Sequence, residues 1–204
     1  MQVLETPAQV SFSPLLRRYT LEEFWALPEP EDRSHYELIG GYLFMVPPPD
    51  PPHGSIDARS NKSLIKFLLT HEIDGEVHHP REPIYRRAEG ATYLEPDMMY
   101  VSSELRSRMG DKRTSADIVF EYISKSNAMY DHTTKADTYL ALGVRELWLV
   151  DPDAVTIEVR YATVRANEPA WESSRYSAGD EARSRVLDGW QVSVDDLFDG
   201  LMTK

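Results

Sequence analysis

Apolar and polar positions change period several times along the chain, and each change marks an element. Thr20 to Leu27 reads as a short helix. Thr20 can cap it, Glu23 completes a capping box three residues on, and Pro28 follows its end. His35 to Val46 (HYELIGGYLFMV) is a pair of apolar-rich runs around Gly40-Gly41, a hairpin signal. A proline-rich loop, Pro47 to Pro52, leads into His53 to His71, where Ile56, Leu64, Phe67 and Leu68 recur at helical spacing. Three strands are predicted next, at Gly75 to His79, Glu82 to Arg87 and Leu94 to Val101. Ser102 to Ala116 is polar and reads as loop with one short helical turn. Asp117 to Ile123 (DIVFEYI) is rich in branched and aromatic residues and reads as a strand. Asp131 to Leu142 is a helix closed by Gly143, and Arg145 to Asp151 (RELWLVD) is a strand stopped by Pro152. Strand, helix, strand predicts a βαβ crossover. Val155 to Tyr161, Glu172 to Tyr176 and Ser184 to Leu187 are further strands, with a closing helical turn at Val194 to Phe198.

The chain has 204 residues, which fits one domain with a real core. Residues 1–17 read as a flexible arm, and 18–204 as a single mixed α/β domain. No apolar run is long enough to span a bilayer, and the N-terminus lacks a signal-peptide pattern. There is no Cys, which removes disulfides, thiolate metal sites and cysteine nucleophiles and fits a cytoplasmic protein. The net charge of −12 argues against a nucleic-acid coat, although a local groove can be positive on an acidic body, and a Mg²⁺ site needs carboxylates of its own.

Strand alternation singles out two acids. In Asp117–Ile123, Ile118, Phe120 and Tyr122 face one way, and Val119, Glu121 and Ile123 the other. Glu121 thus sits among branched apolar neighbours on a strand expected to be central. In Pro96–Val101, Asp97 similarly shares a face with Met99 and Val101. A lone carboxylate there must protonate or find a partner. Two readings remain open: a cation such as Mg²⁺ or Mn²⁺ shared by both acids, or Asp97 ending a turn after Pro96 and Glu121 pairing with a nearby Lys or Arg. Lys135 falls in line with Tyr139 and Leu142 on the predicted helix, beside its apolar face. Its ammonium either snorkels to solvent or meets an anion on the sheet carrying the acids. His53 opens the long helix, as a surface or capping residue or as a neighbour of the site. Asp131, one turn before Lys135, can pair with it or cap the helix.

The motifs LEEFWALPE, YELIGGYLF, PPPDPPH, LEPDMMYVS, DIVFEYISKS, DHTTKADTYLALGVRELWLVDP and GDEARSRVLDGWQVSVDDLF occur in that order. In this they resemble the bacterial Uma-type family of restriction endonucleases, within the PD-(D/E)XK nuclease superfamily, from about Tyr19 to Phe198. The resemblance implies a restriction-endonuclease-like core, a central mixed sheet flanked by helices with an extra N-terminal hairpin and C-terminal strands. It implies a Mg²⁺- or Mn²⁺-dependent endonuclease acting on DNA, with Asp97, Glu121 and Lys135 as catalytic residues and Asp97, Glu121 and Glu37 as metal ligands. The superfamily's lysine usually stands two residues after the acid; here that position is Ile123, and Lys135 stands where the family carries a lysine on the following helix.

Three departures qualify the match. The family commonly reads DGE in the hairpin turn, where this chain has Gly40, Gly41 and Tyr42. Lys125 stands where relatives usually have Pro, and so rivals Lys135 for the lysine role. Glu95 replaces a common amide and could add a ligand, and His53 matches a His often found in relatives. The alternative function is a nuclease fold without turnover that binds nucleic acid or a protein partner. A hydrolase of small phosphorylated substrates lacks a glycine-rich phosphate loop to support it. Cutting both strands of a duplex suggests a homodimer. Arg81, Arg86, Arg87, Arg106, Arg108, Lys112 and Arg113 are the densest basic material, available to DNA or forming a solvated face.

Overall fold

The computed structural model describes residues 17–49, 51–87, 90–124 and 128–201; the expected arm at 1–17, apart from Arg17, and Lys125 lie outside them. In chain order the elements are α1 (Leu21–Trp25), β1 (His35–Ile39), β2 (Tyr42–Val46), α2 (His53–Thr70), β3 (Gly75–His78), β4 (Ile84–Arg86), β5 (Thr92–Leu94), β6 (Met98–Ser102) and α3 (Ser103–Met109). There follow β7 (Ile118–Tyr122), α4 (Ala128–Tyr130), a π-helical turn (Asp131–Lys135), α5 (Ala136–Ala141), β8 (Glu146–Asp151), β9 (Thr156–Arg165), β10 (Glu168–Tyr176), β11 (Glu181–Arg183), β12 (Gln191–Ser193) and α6 (Val194–Phe198).

The main sheet has six strands in the order β10-β9-β8-β7-β6-β3. It is mixed: β7 and β8 run parallel and the other neighbours antiparallel. The segment joining β7 to β8 carries the helical run, as a parallel pair requires a crossover rather than a tight turn. Alternation along β7 sends Ile118, Phe120 and Tyr122 into one core, with Ile56, Leu64 and Leu68 of α2 and Leu197 and Phe198 of α6. Val119 and Ile123 enter the other, with Ala136 and Tyr139 of α5. Helices therefore cover both faces, and Glu121, odd-numbered like Val119, belongs to the α5 side.

A smaller four-stranded sheet, β2-β1-β5-β4, closes over its own core of Leu21, Phe24, Leu38 and Ala91. The β1–β2 turn uses Gly40 and Gly41 at φ 59° and 84°, the positive values that a two-residue hairpin of matching twist needs. Thr20 and Glu23 form the expected capping box of α1.

Two expected strands change. Leu94 to Val101 is not one strand: β5 ends at Leu94 in the small sheet and β6 begins at Met98 in the large one. Pro96 has no N–H to donate to a ladder, and the Glu95 N–H goes to the Glu37 carboxylate at 2.9 Å. Asp97 is thus a junction residue, not a strand residue sharing a face with Met99 and Val101. Ser184 to Leu187 is not a strand either. The N–H groups of Arg185 and Val186 donate to the buried Glu146 carboxylate at 2.8 and 3.1 Å, so they are withdrawn from any ladder. Ser102 to Ala116 holds two helical turns, α3, capped by the Ser102 hydroxyl.

Candidate active site

The break at Pro96 sets the site at the seam between the two sheets. Glu37 comes from β1 of the small sheet and Glu121 from the centre of the large one, and the helical run after β7 lies across both. Lys135 Nζ stands 2.8 Å from Glu121 Oε1 and 3.2 Å from Glu37 Oε1, so one ammonium ties the two sheets. Asp131, a turn earlier, is 3.9 Å from the same nitrogen. Glu37, Glu121, Asp131 and Lys135 are all buried, with relative exposures of 0–3%. The lysine does not snorkel to solvent.

Hydroxyls complete the cluster. Tyr139 donates to Glu121 Oε1 at 2.5 Å, and Tyr130 to Glu37 Oε2 at 2.9 Å. Between these tyrosines the helix widens into the π turn, a feature often found at functional sites. Two threonine hydroxyls accompany the irregularity, Thr133 bonding the Met129 carbonyl and Thr138 that of Thr134.

Asp97 joins from the seam. Its Oδ2 accepts the Tyr122 N–H at 2.7 Å, and its own N–H bonds the Phe120 carbonyl at 3.2 Å. Its Oδ1 faces His53 Nε2 at 3.2 Å. The His53 ring meets Tyr122 edge-on at 4.9 Å. Glu95 turns away toward the small sheet, where Tyr93 donates to it at 3.3 Å and Arg81 stands 3.7 Å off.

Electrostatics follow from crowding. Burial pushes Glu121 well above the usual carboxylate range; Lys135 opposes this while Asp131, Asp97 and Glu37 add to it. Burial raises Asp131 to about 7, again against Lys135. Burial works to lower Lys135, but Glu121 and Glu37 outweigh it and the group stays charged. His53 follows the same logic: burial lowers it, Asp97 more than compensates, and it ends raised. Asp131 Oδ2 is buried and has no hydrogen-bond partner among the described residues. Four carboxyl groups therefore share one lysine and one histidine.

A small cavity of about 40 Å³ opens over Asp97, Glu121, Lys135, His53, His35 and Glu95, enough for a small cation with a water beside it. Among the described residues no three His, Asp or Glu side chains are grouped to ligate a metal: the ammonium stands between Glu37 and Glu121, and Asp97 faces His53. The donor chemistry nonetheless fits. All the candidate acids offer oxygen, the preference of Mg²⁺ and Mn²⁺, and the buried carboxyl groups of Glu37, Glu121 and Asp131 outnumber the one ammonium among them.

Of the residues singled out in the sequence, Glu37, Asp97, Glu121, Lys135 and His53 come together here. Glu95 lines the cavity with its side chain directed elsewhere. The basic residues mostly pair with acids: Arg87 with Glu22, Arg106 with Glu76, Arg108 with Glu104 and Arg113 with Glu82. The depth of Asp131 and the reach of Tyr130 were not foreseen. Asp131, Lys135 and Tyr139 do stand four apart, a signal available to helical periodicity. Tyr130 has no such signal, because its placement depends on the π turn.

A family model described as "Uma2: Putative restriction endonuclease" matches residues 21–195. No curated protein matches the chain. Among solved structures, that of a putative nuclease belonging to DUF820 from Anabaena variabilis ATCC 29413 superposes with a TM-score of 0.68 at 21% identity. The match covers 90% of this chain and 99% of that one. At that identity the likeness is one of fold. Among the described residues no helix is long and apolar enough to cross a membrane.

Proposed function

This chain belongs to the Uma2 putative restriction endonuclease family, and on that premise we propose that it is a divalent-metal-dependent endonuclease that hydrolyses phosphodiester bonds in DNA. Asp97 and Glu121 would hold Mg²⁺ or Mn²⁺, with Glu37 as a further ligand. When bound, such an ion supplies Lewis acidity at the phosphate and makes water a better nucleophile at neutral pH. The observation that carries this reading is Lys135 Nζ, buried and set 2.8 and 3.2 Å from Glu121 and Glu37.

The residues divide the work. Lys135 places a fixed positive charge where charge develops on the phosphate oxygens, and costs no reorganisation because it is already oriented. Tyr139 and Tyr130 hold the Glu121 and Glu37 carboxyls by one oxygen each, and the Tyr122 N–H holds Asp97. His53 restrains the remaining Asp97 oxygen. Catalytic roles for Lys125 and Glu95 are secondary in this reading. A homodimer would present two such sites to the two strands of a duplex.

Plasmid nicking or linearisation is expected with Mg²⁺ or Mn²⁺, and its loss with chelator and in Asp97→Ala, Glu121→Ala and Lys135→Ala. Cleavage that persists in all three variants would defeat the assignment. One observation favours a second reading, a nuclease fold that binds without turnover: the ammonium fills the space between Glu37 and Glu121. Calorimetry separates the two, since absence of Mg²⁺ and Mn²⁺ binding at millimolar concentration selects the second.

A further inference from the structure

A second cavity, of about 170 Å³, lies beside the acid cleft. The two share lining residues, His35 and Glu95, so a group seated in one adjoins whatever occupies the other. Its walls include Trp25, Tyr36 and Tyr93. Glu95, His35, Arg81, Glu29 and Ser34 also line it, and the first three stand together. Trp25 is 48% exposed although its ring is large and apolar. Tyr93 is fixed by packing on Phe24 at 4.7 Å.

The polar groups are loosely used. His35 Nε2 is buried and has no hydrogen-bond partner among the described residues, with a Glu95 oxygen 3.9 Å away. Glu95 receives one long hydrogen bond from Tyr93, at 3.3 Å, and the exposed Arg81 guanidinium is 3.7 Å off. A buried imidazole nitrogen and a carboxylate left this open call for a ligand that brings hydrogen-bond donors.

The chemistry narrows the occupant. An aliphatic or phenyl side chain would leave the carboxylate and imidazole unpaired. A phosphate would meet the Glu95 charge. A flat, neutral ring system with N–H groups on its edge satisfies both, with its faces against the aromatic walls and its edge toward Glu95. The volume corresponds to about six waters, room for one such ring system and not for a base pair. Arg81 at the mouth can meet the phosphate attached to it.

We propose that this cavity takes a single unstacked, amino-bearing nucleobase from the strand whose phosphodiester lies in the acid cleft. The protein then engages single-stranded or locally opened DNA beside the bond it cuts. Glu95 accepts from the base edge and Trp25 and Tyr36 provide the stacking surface. The inference rests on the nuclease reading above and adds the form of nucleic acid that the site accepts.

The test is an abasic scan. Fluorescence anisotropy measures binding of single-stranded decanucleotides, each lacking the base at one position, to the full chain in Ca²⁺, alongside cleavage of the same strands in Mg²⁺. One position is expected to stand out, its abasic form binding about tenfold or more weaker, and thymine there to bind more weakly than cytosine, adenine or guanine. Trp25→Ala and Glu95→Gln should each reduce that position's penalty to within about twofold of its neighbours. Since Trp25 is half-exposed, its variant keeps the scan readable if Glu95→Gln folds poorly. Strands that bind and are cut, but with a flat scan or a penalty unmoved in both variants, overturn the base pocket and leave the nuclease reading standing. Strands neither bound nor cut overturn the base pocket, and the nuclease reading falls with it only if plasmid DNA in Mg²⁺ also stays intact.

Discussion

The central sheet buries two glutamates, and their surroundings are opposite in kind. Glu146, beside Ile118 at one end of the parallel pair, accepts from the Trp148 indole N–H at 2.6 Å and from the Arg185 and Val186 N–H groups at 2.8 and 3.1 Å. Fixed donors satisfy both its oxygens, and it holds the loop after β11 against the sheet. Glu121, beside Leu149 toward the other end and on the other face, has one hydroxyl, one ammonium and three more acids around it. Burial of a carboxylate therefore does not mark a reactive site. What separates the two is surplus: at Glu146 donors match acceptors, while at Glu121 acceptors outnumber donors and one oxygen of Asp131 is left over.

The contrast can be broken by substitution. Glu121→Gln should lower Mg²⁺-dependent cleavage by about 10³-fold with the far-UV circular dichroism retained, whereas Glu146→Ala should leave cleavage per folded molecule unchanged. Equal losses in the two would erase the distinction. Glu146→Ala should instead cost about 3 kcal/mol in urea unfolding, because it strands buried N–H donors. Mg²⁺ or Mn²⁺ at about 100 times its Kd should stabilise the wild type by about 2.7 kcal/mol. That gain should vanish in Glu121→Gln and persist in milder Glu146 substitutions such as Glu146→Gln.

A smaller effect concerns pH. Asp131 is raised from 3.8 to about 7 in the fold, so between those values the folded chain holds a proton that the unfolded chain releases. In chelator its contribution is greatest below about pH 4 and falls as pH rises toward 7. Asp131→Asn should flatten that part of the stability profile. A profile identical to wild type would show that Asp131 does not carry this proton in the folded chain.

Period alone located much of this. The two-faced alternation of Asp117–Ile123 separates Glu121 from Phe120 in the sequence as it does in the sheet, and the capping box and the glycine hairpin follow from local chemistry. Motif resemblance brought Glu37, Asp97 and Lys135 to one place. The failures have a common cause: they lie where a long-range acceptor captures backbone donors. Glu37 takes the N–H of Glu95 and Glu146 those of Arg185 and Val186, and no local pattern announces a partner dozens of residues away. The division of Leu94 to Val101 between two sheets was signalled only by Pro96.

The π turn has a consequence for the phase of the helix. Tyr139 follows Tyr130 by nine positions, and nine residues of unbroken α-helix carry a side chain through about two and a half turns, to the opposite side. Both hydroxyls nevertheless reach the same acid cluster. The widened turn takes up one residue's worth of rotation and brings the earlier tyrosine to within about a quarter turn of the later one. In effect the helix has been lengthened by one residue without losing its downstream frame. Removing one residue between Asp131 and Lys135 would restore a regular ladder and keep both tyrosines on the sheet, whereas tightening the turn to α-helix with all its residues present would swing Tyr130 away from Glu37.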